Sequence, residues 1–590
     1  MKANIKSYII DKFKIMINSN YIYILGYILF ISFGFIGYYR NGCLVLGGEG
    51  NTILNYSTFL KSFGFAWHHT YGTGLANMGP CMTGLNVIGL MLIQKITGSV
   101  VFANFISVFM IYFLPFFAMF LVCKKVKTTP FIAFVIAFFY VINPFTLVFL
   151  SSLNQWNLFI VTIMPIFFLV LLEYYDKRFE LFFVFGILSG IFSFAYTNPP
   201  LFGIGLISIF LSIIIASYYL NKKISVISII KKYIFLLTAL VVFNFWWLMT
   251  LLVNVKSVAQ NIYPLSVAQN WLDSTLGNFK PVIVRMLSLT VLVCSDPSYD
   301  FSSFWYSSFF SKLILMVPIF IVFYYFLFIK NKANPNRVLC WVTFSILVML
   351  LFLVKGNAPP FGSIYNFLFA HIPFFKIFKT PVEKFGILYV YILSLLLLFI
   401  FNEIKHNKHF KMILNIFVAY LIFCSIPVIT GNIVPNYRTN GYGYASRKFK
   451  DKAVYQKSRK LLNEKMVQQK ILSLPGSGNY QVCLNNYEDN KYTGLDPLLK
   501  NVNKPFIGTH HQIVGLYKNI SAVNYEKILK IYNIGIIVIN SDLLPWFGFV
   551  EHESLSELKK IFNEKMTLEQ DGDVIIFSNN NYFLPLIYAD

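Results

Sequence analysis

The sequence predicts an α-helical polytopic membrane protein of about 11 transmembrane helices, with a soluble α/β domain at its C-terminal end. Hydrophobic residues make up 57% of the 590 positions, and the mean hydropathy is +0.63. Only 13% of the residues are charged, whereas soluble domains average about 25%. The composition turns polar and charged after residue 430. We therefore expect a transmembrane module over residues 1–430 and a soluble domain over residues 431–590.

The formal net charge of +24 would suggest a nucleic-acid partner in a soluble protein. Here the lysines cluster at the ends of apolar segments, which is typical of topology signals and of contacts with anionic lipids. We therefore expect membrane lipids as partners and no nucleic acid. The seven cysteines show no metal-like spacing, so we predict no metal ligands, while a divalent cation stays open as a cofactor. Cys43 and Cys81 are either a disulfide or two unpaired thiols.

The first apolar segment runs from Tyr21 to Tyr39, follows four lysines and precedes no small-residue cleavage site. We interpret it as a retained first helix with a cytoplasmic N-terminus in the plasma membrane. The segment from Cys81 to Ile96 is shorter than the roughly 20 residues that span a bilayer, so we expect it to re-enter or to lie on the outer face. The eleven predicted spans are 21–39, 99–123, 131–143 and a few residues beyond, 158–175, 179–196, 201–220, 233–253, 313–329, 338–354, 386–401 and 410–430. With this count the Lys/Arg-rich connections lie inside.

The C-terminal domain combines short apolar runs with helical patterns. The runs at 471–474, 534–539 and 574–577 predict strands, because they are short and rich in Ile, Leu, Val and Phe. Helical patterns at 453–469, 524–532 and 554–564 separate them. At about 150 residues the domain is long enough to bury its own core. We expect it on the extracytoplasmic side.

The outer loop over residues 40–98 carries the first candidate site. It places one carboxylate, Glu49, in a glycine-rich stretch directly after a membrane helix. This position predicts either a catalytic carboxylate or an exposed acid in a turn without a role. The adjacent His68 and His69 either assist Glu49 or form an interfacial contact together with Trp67.

Two further outer loops collect charged and aromatic residues. The loop before the tenth predicted span carries Lys379 and Lys384, where positive-inside statistics disfavour lysines. These lysines either bind a lipid-linked phosphate or anchor to lipid headgroups. The loop before the eighth predicted span carries Trp271 and Asp273, a combination that suits sugar stacking and hydroxyl binding and equally suits an ordinary interfacial loop.

Short motifs in collinear order resemble the GT-C superfamily of membrane glycosyltransferases, and within it the α-(1→3)-arabinofuranosyltransferase and YfhO-type families. They span nearly the whole chain: Gly47-Gly48-Glu49-Gly50-Asn51, Met78-Gly79-Pro80, Phe378-Lys379-Thr380-Pro381 with Lys384-Phe385, Ile471-Leu472-Ser473-Leu474-Pro475-Gly476, the stretch 529–539, and Ile575-Ile576-Phe577-Ser578-Asn579 followed by Leu584-Pro585. The resemblance implies that Glu49, where the family usually has Asp, is the general base. It also implies that Lys379 and Lys384 contact the donor phosphate, with Arg40 as a further contact.

We therefore predict a glycosyltransferase that moves a sugar from a polyprenyl-phosphate-linked donor to a cell-surface glycan, glycolipid or protein at the outer face of the membrane. The predicted catalytic residue is Glu49, and the predicted substrate-binding residues are Arg40, His68, His69, Trp271, Asp273, Lys379 and Lys384. The alternatives are a catalytically silent membrane scaffold and a transporter of lipid-linked sugars for cell-envelope assembly.

Overall fold

The computed structural model describes residues 20–39, 42–46, 67–68, 75–76, 78–151, 155–196, 199–221, 225–262, 265–278, 281–290, 309–328, 335–372, 375–431, 437–439, 443–446, 448–464, 470–474, 482–487, 490–494, 498, 502, 506–507, 520–521, 523–542 and 552–579. They belong to two compact units. The first comprises residues 1–37, 108–152 and 156–435, and the second comprises residues 38–107, 153–155 and 436–590.

The helices in chain order are α1 Asn20–Tyr39, α2 Met78–Thr97, α3 Val100–Lys125, α4 Pro130–Val141, α5 Pro144–Ser151, α6 Gln155–Tyr174, α7 Arg178–Ile191, α8 Pro199–Asn221, α9 Val226–Ile262, α10 Leu265–Asn278, α11 Val282–Leu287, α12 Phe309–Leu315, α13 Val317–Phe328, α14 Pro335–Val354, α15 Gly362–His371, α16 Pro381–Ile404, α17 Phe410–Cys424, α18 Ile426–Ile429, α19 Ala453–Glu464, α20 Tyr525–Tyr532 and α21 His552–Lys565. Two 3-10 turns are η1 Ser193–Tyr196 and η2 Phe375–Phe378.

The strands in chain order are β1 Leu44–Val45, β2 Trp67–His68, β3 Leu75–Ala76, β4 Tyr437–Thr439, β5 Gly443–Ser446, β6 Lys448–Phe449, β7 Lys470–Leu474, β8 Val482–Tyr487, β9 Asn490–Gly494, β10 Phe506–Ile507, β11 Ile534–Asn540, β12 Thr567–Gln570 and β13 Val574–Ser578. The predicted class, a helical membrane protein with a small C-terminal α/β part, is confirmed.

The number of membrane crossings is not fixed by helix length. Among the described residues, six helices are long and apolar enough to span, and the bent pair α4–α5 brings the number to seven. Several other predicted spans appear as shorter helices, such as α13 and α17. The count of eleven therefore stays a prediction.

Two predicted loops contain helix. The region predicted as one long outer loop, 254–311, holds the end of α9 together with α10 and α11. Helix α16 begins at Pro381, five residues before the predicted start, because proline at the first helical position lacks only an N–H that would have no helical partner. Lys384 thus lies in the first turn of a helix and not in a loop.

Helix α16 forms the centre of the first unit. Nearly all of its side chains are buried, as expected for a helix that is apolar on every face. It packs against α14 and α4. A Cβ on Gly386 would lie 2.5 Å from ring atoms of Phe145, so this glycine lets the segments approach closely. Helix α1, in contrast, buries Tyr27 against the ring of Phe116 at 3.7 Å and exposes the opposite stripe.

The predicted span beginning near residue 131 is broken. Helices α4 and α5 meet at an angle of 56°, where Asn143 and Pro144 interrupt the helical hydrogen bonds. The buried Asn143 side chain bonds to backbone groups on both sides of the bend. Its Nδ2 donates to the carbonyl oxygens of Phe139 and Tyr140, and its Oδ1 accepts from the backbone N–H of Thr146. The backbone groups freed by the bend are therefore satisfied inside the protein, as an apolar environment requires.

The second unit is built on a five-stranded sheet with the order β10-β7-β11-β13-β12. Strands β10, β7 and β11 are parallel, and β13 is antiparallel to both β11 and β12. One face packs against α19 through side chains that include Ile471, Val538 and Leu462. The other face packs against α20 and α21 through side chains that include Ile537 and Phe562. The three predicted strands and three predicted helices are present, with the first helix observed over Ala453–Glu464 and its predicted remainder, 465–469, outside the described residues.

The segment directly after α1 contributes to this second unit. Strand β1 pairs with β6 in antiparallel register, Leu44 opposite Phe449. Leu44 and Leu46 join the core on the α19 side of the sheet. Asn104 of α3 accepts hydrogen bonds through its Oδ1 from the Tyr39 hydroxyl and the backbone N–H of Val45, both at 3.0 Å. The start of this segment is thereby fixed to elements of its own unit.

Candidate substrate-binding site

Three separate segments of the first unit meet around Gly356. They are helix α10, the turn after α14, and the segment from η2 into α16. Gly356 has a φ of +57°, which favours glycine, and a Cβ there would lie 2.9 Å from both Leu276 Cδ1 and Pro381 Cγ. The buried Leu272 approaches the same point at 3.6 Å. A residue without a side chain therefore allows the helix, the turn and the start of α16 to meet.

The position of Lys379 is set by the residue before it. A Cβ on Gly203 of α8 would lie 2.8 Å from the ring of Phe378, so this glycine leaves room for the ring. The Phe378 carbonyl oxygen accepts a hydrogen bond of 2.8 Å from the buried Tyr365 hydroxyl of α15. Two neighbouring helices thus hold the backbone directly before Lys379.

Lys379 and Trp271 are brought together by this arrangement. The Lys379 ammonium lies 3.9 Å from the centroid of the Trp271 ring, well within the distance of a cation–π contact. Burial and the nearby charge of Lys384 lower the pKa of Lys379 to about 8. Lys384 is buried, with its Nζ 3.4 Å from a carboxylate oxygen of Glu383. Trp271 and the two lysines, which come from two different predicted loops, therefore lie in one site with Lys379 as its less buried cation.

On the other flank of α10, Asp273 bonds to the turn that follows α14. Asp273 Oδ1 accepts a hydrogen bond of 2.7 Å from Asn357 Nδ2 and one of 3.3 Å from Gln269 Nε2. The Asp273 side chain is exposed, so its carboxylate is accessible to a ligand hydroxyl. Trp271 and Asp273 therefore connect α10 to two different segments. The buried leucines of α10 lie between these two contacts.

The structure adds Lys355, which the sequence predictions did not include. It is only 3% exposed and donates to the carbonyl oxygens of Ala358 at 2.8 Å and Gly356 at 3.4 Å. Its ammonium lies 4.6 Å from the centroid of the Phe352 ring, and burial lowers its pKa. The signal was present: like Lys379, Lys355 is a lysine at the predicted outer end of an apolar span, where positive-inside statistics disfavour it.

The remaining predicted site residues belong to the first outer loop. Arg40, Glu49 and His69 lie outside the described residues. His68 lies on β2, where it pairs with Leu75 of β3, and its side chain is outside the description. Their roles stay predictions. Within the described ranges, no group of three or more His, Cys, Asp or Glu side chains is arranged to hold a metal ion.

No protein-family model and no curated protein matches the sequence. The fold does match solved structures of the arabinofuranosyltransferase AftD from Mycobacteria. Two cryo-EM structures, one of them of a point mutant, align with TM-scores of 0.61 and 0.60 and 11% sequence identity. The alignments cover 95% of this chain but only 40% and 41% of the mycobacterial chain. This chain therefore shares its fold with these AftD structures, over less than half of that protein's length.

Proposed function

We propose that this protein is a membrane glycosyltransferase that transfers a sugar from a polyprenyl-phosphate-linked donor to a cell-surface glycan, glycolipid or protein. The observation that carries the proposal is the cationic site formed by Lys379 and Lys384. Clustered ammonium groups lower the free energy of a phosphate dianion, and most strongly where water is partly excluded. The shared fold with an arabinofuranosyltransferase supports the same reaction class.

Each group in the proposed reaction has one role. The acceptor hydroxyl oxygen forms a bond to the anomeric carbon, and the bond from that carbon to the phosphate oxygen breaks. The Glu49 carboxylate accepts the hydroxyl proton, which requires it to lie within about 3 Å of that oxygen. Polyprenyl phosphate leaves with the bonding electrons, and Lys379 and Lys384 stabilise its added negative charge. Arg40, His68 and His69 are proposed as further contacts of the same substrates.

The exposed Asp273 carboxylate suits the sugar of the donor. It accepts a hydrogen bond from Asn357, so the pair presents an acceptor and a donor to neighbouring sugar hydroxyls. On the other flank of α10, Trp271 offers an aromatic ring that is half exposed. The proposed orientation of the chain, with its N-terminus in the cytoplasm and its C-terminal domain outside, places these loops at the outer face.

Binding of the donor lipid is the first test. Native mass spectrometry of the purified full-length protein should show a complex with polyprenyl monophosphate. Replacing Lys379 and Lys384 by Gln should weaken it at least tenfold, because each charge-assisted hydrogen bond contributes about 1.5–3 kcal/mol. Matched replacement of the exposed Lys405 and Lys408, beyond the other end of α16, should leave binding unchanged. Equal binding by both double variants would contradict the phosphate site.

Turnover is the second test, and it separates transfer from its alternatives. Given a radiolabelled polyprenyl-phosphate sugar and a membrane glycan fraction, the wild-type protein should release free polyprenyl phosphate. The Glu49→Gln variant should bind the donor and release almost none. Unchanged transfer by this variant, at normal abundance, would refute the role of Glu49. Movement of the intact donor across a vesicle membrane would indicate a transporter, and neither binding nor release would indicate a scaffold.

A further inference from the structure

The ring of Trp271 makes a cation–π contact in this structure. The Lys379 ammonium lies 3.9 Å from its centroid, so one face of the indole is occupied by a cation. The side chain is still 50% exposed. The sequence alone suggested that this tryptophan stacks on a sugar. The observed contact assigns it a second role, toward the lysine.

Two effects disfavour the charged form of Lys379. Its ammonium is half buried, and the like charge of Lys384 acts on it. The titratable side chains on the described elements that meet here are Asp273 on α10, Lys355 in the turn, His371 on α15, Lys376 in η2, and Glu383 and Lys384 on α16. Glu383 pairs with Lys384, and Asp273 accepts from Asn357 and Gln269. The electron-rich face of Trp271 lies 3.9 Å from the Lys379 ammonium, and a cation–π contact at this distance opposes the effects of burial and of Lys384.

We infer that Trp271 is a positioning residue for the proposed reaction: its ring keeps the Lys379 ammonium charged and fixed in place for the donor phosphate. The statement that this charge serves the donor phosphate rests on the proposed function. The effect of the Trp271 ring on the charge of Lys379 does not. A charged, immobilised lysine binds phosphate more tightly than one that must first gain a proton or lose side-chain entropy. Trp271 thus acts on the substrate through Lys379.

The charge of Lys379 can be measured directly in the protein without ligand. The rate at which Lys379 reacts with an acylating reagent rises with its neutral fraction, and peptide mass spectrometry gives the pH midpoint of that rate. Trp271→Leu keeps apolar cover over the ammonium but removes the aromatic ring, so the midpoint should fall by about half to one pH unit. Trp271→Phe retains a ring and should restore most of the shift. Trp246→Leu removes an equally exposed indole, 49% exposed on α9, and should leave the midpoint unchanged.

The same variants test the consequence for binding. Polyprenyl monophosphate should protect Lys379 from acylation in the wild-type protein, and the protection should weaken several-fold in Trp271→Leu and recover in Trp271→Phe. Coincident midpoints in all three proteins would overturn the inference. If the leucine variant does not fold, Trp271→Met, which also removes the aromatic ring, replaces it in the comparison. Shifted midpoints without any protection by the lipid phosphate in the wild-type protein would instead refute the proposed function, and with it the purpose assigned to Trp271.

Discussion

Replacing Gly362 by Ala should deform the turn that carries Asn357. Gly362 is the first residue of α15, and a Cβ there would lie 1.9 Å from the Asn357 carbonyl oxygen and 2.6 Å from its carbonyl carbon. Both atoms belong to the backbone, so no rotamer change relieves the clash. To reach ordinary van der Waals contact, the carbonyl must retreat by roughly 1.5 Å.

A shift of this size reaches the candidate site. The hydrogen bond from Asn357 Nδ2 to Asp273 is 2.7 Å long, and a displacement of the turn by roughly 1.5 Å would break it. Overpacking costs about 1–3 kcal/mol and the lost hydrogen bond about 1 kcal/mol. We therefore expect Gly362→Ala to lower the free energy of unfolding by about 2–4 kcal/mol and to weaken binding of polyprenyl phosphate.

Gly37 of α1 supplies the matched control for this substitution. It is exposed, and no atom lies within 4 Å of a Cβ built on it, so Gly37→Ala should be neutral or slightly stabilising. The assay is equilibrium unfolding of the purified protein in detergent by titration with sodium dodecyl sulfate, followed by tryptophan fluorescence. A midpoint for Gly362→Ala that coincides with those of Gly37→Ala and the wild-type protein would refute the reasoning from the turn.

Three further predictions concern other parts of the molecule. Because the pKa of Lys379 is lowered to about 8, its cation is present below that pH and is lost above it; the affinity for polyprenyl phosphate should therefore fall as the pH rises through 8 and beyond. Asn143→Ala should lower the free energy of unfolding by about 2–4 kcal/mol, because it leaves buried backbone groups at the α4–α5 bend unpaired. Asp542→Ala should destabilise the C-terminal sheet by about 3 kcal/mol, since it removes the 2.8 Å ion pair with Lys452 and the 2.9 Å hydrogen bond from Tyr455.

Each of these predictions has its own measurement and control. Native mass spectrometry across the pH range tests the first, and Lys379→Gln should remove the pH dependence near 8. Detergent unfolding tests the second, with the partly buried Asn407 as the control position. Hydrogen exchange of peptides from residues 437–579 tests the third in the full-length protein, with Asp571→Ala, an exposed acid at the end of β12, as the control. A flat pH profile, unchanged unfolding, or unchanged exchange would contradict the respective prediction.

Local patterns in the sequence predicted the long apolar helices and the central strands and helices of the C-terminal part. Apolar runs such as 201–220 and 338–354 predicted helices α8 and α14, because a buried or lipid-facing helix needs a long apolar stretch wherever it lies in the fold. In the C-terminal part, β7, β11 and β13 and helices α19, α20 and α21 followed from their own length and periodicity, whereas β4, β5, β6, β8, β9, β10 and β12 were not predicted. The bend between α4 and α5 and the early start of α16 were missed, because both depend on how a polar group or a proline is satisfied by its neighbours.

The sequence by itself determined that this protein is a helical membrane protein with a C-terminal α/β part, and it identified Trp271 and Lys379 as separate candidates. Only the tertiary structure decided that these two residues touch, that Asn357 holds Asp273, and that β1 pairs with β6. Contacts of this kind join segments far apart in the chain, and they depend on close approach at glycines such as Gly356, where packing and not local propensity selects the residue. Spacing along the chain carries no measure of such distances, so the site had to be assembled from the folded protein.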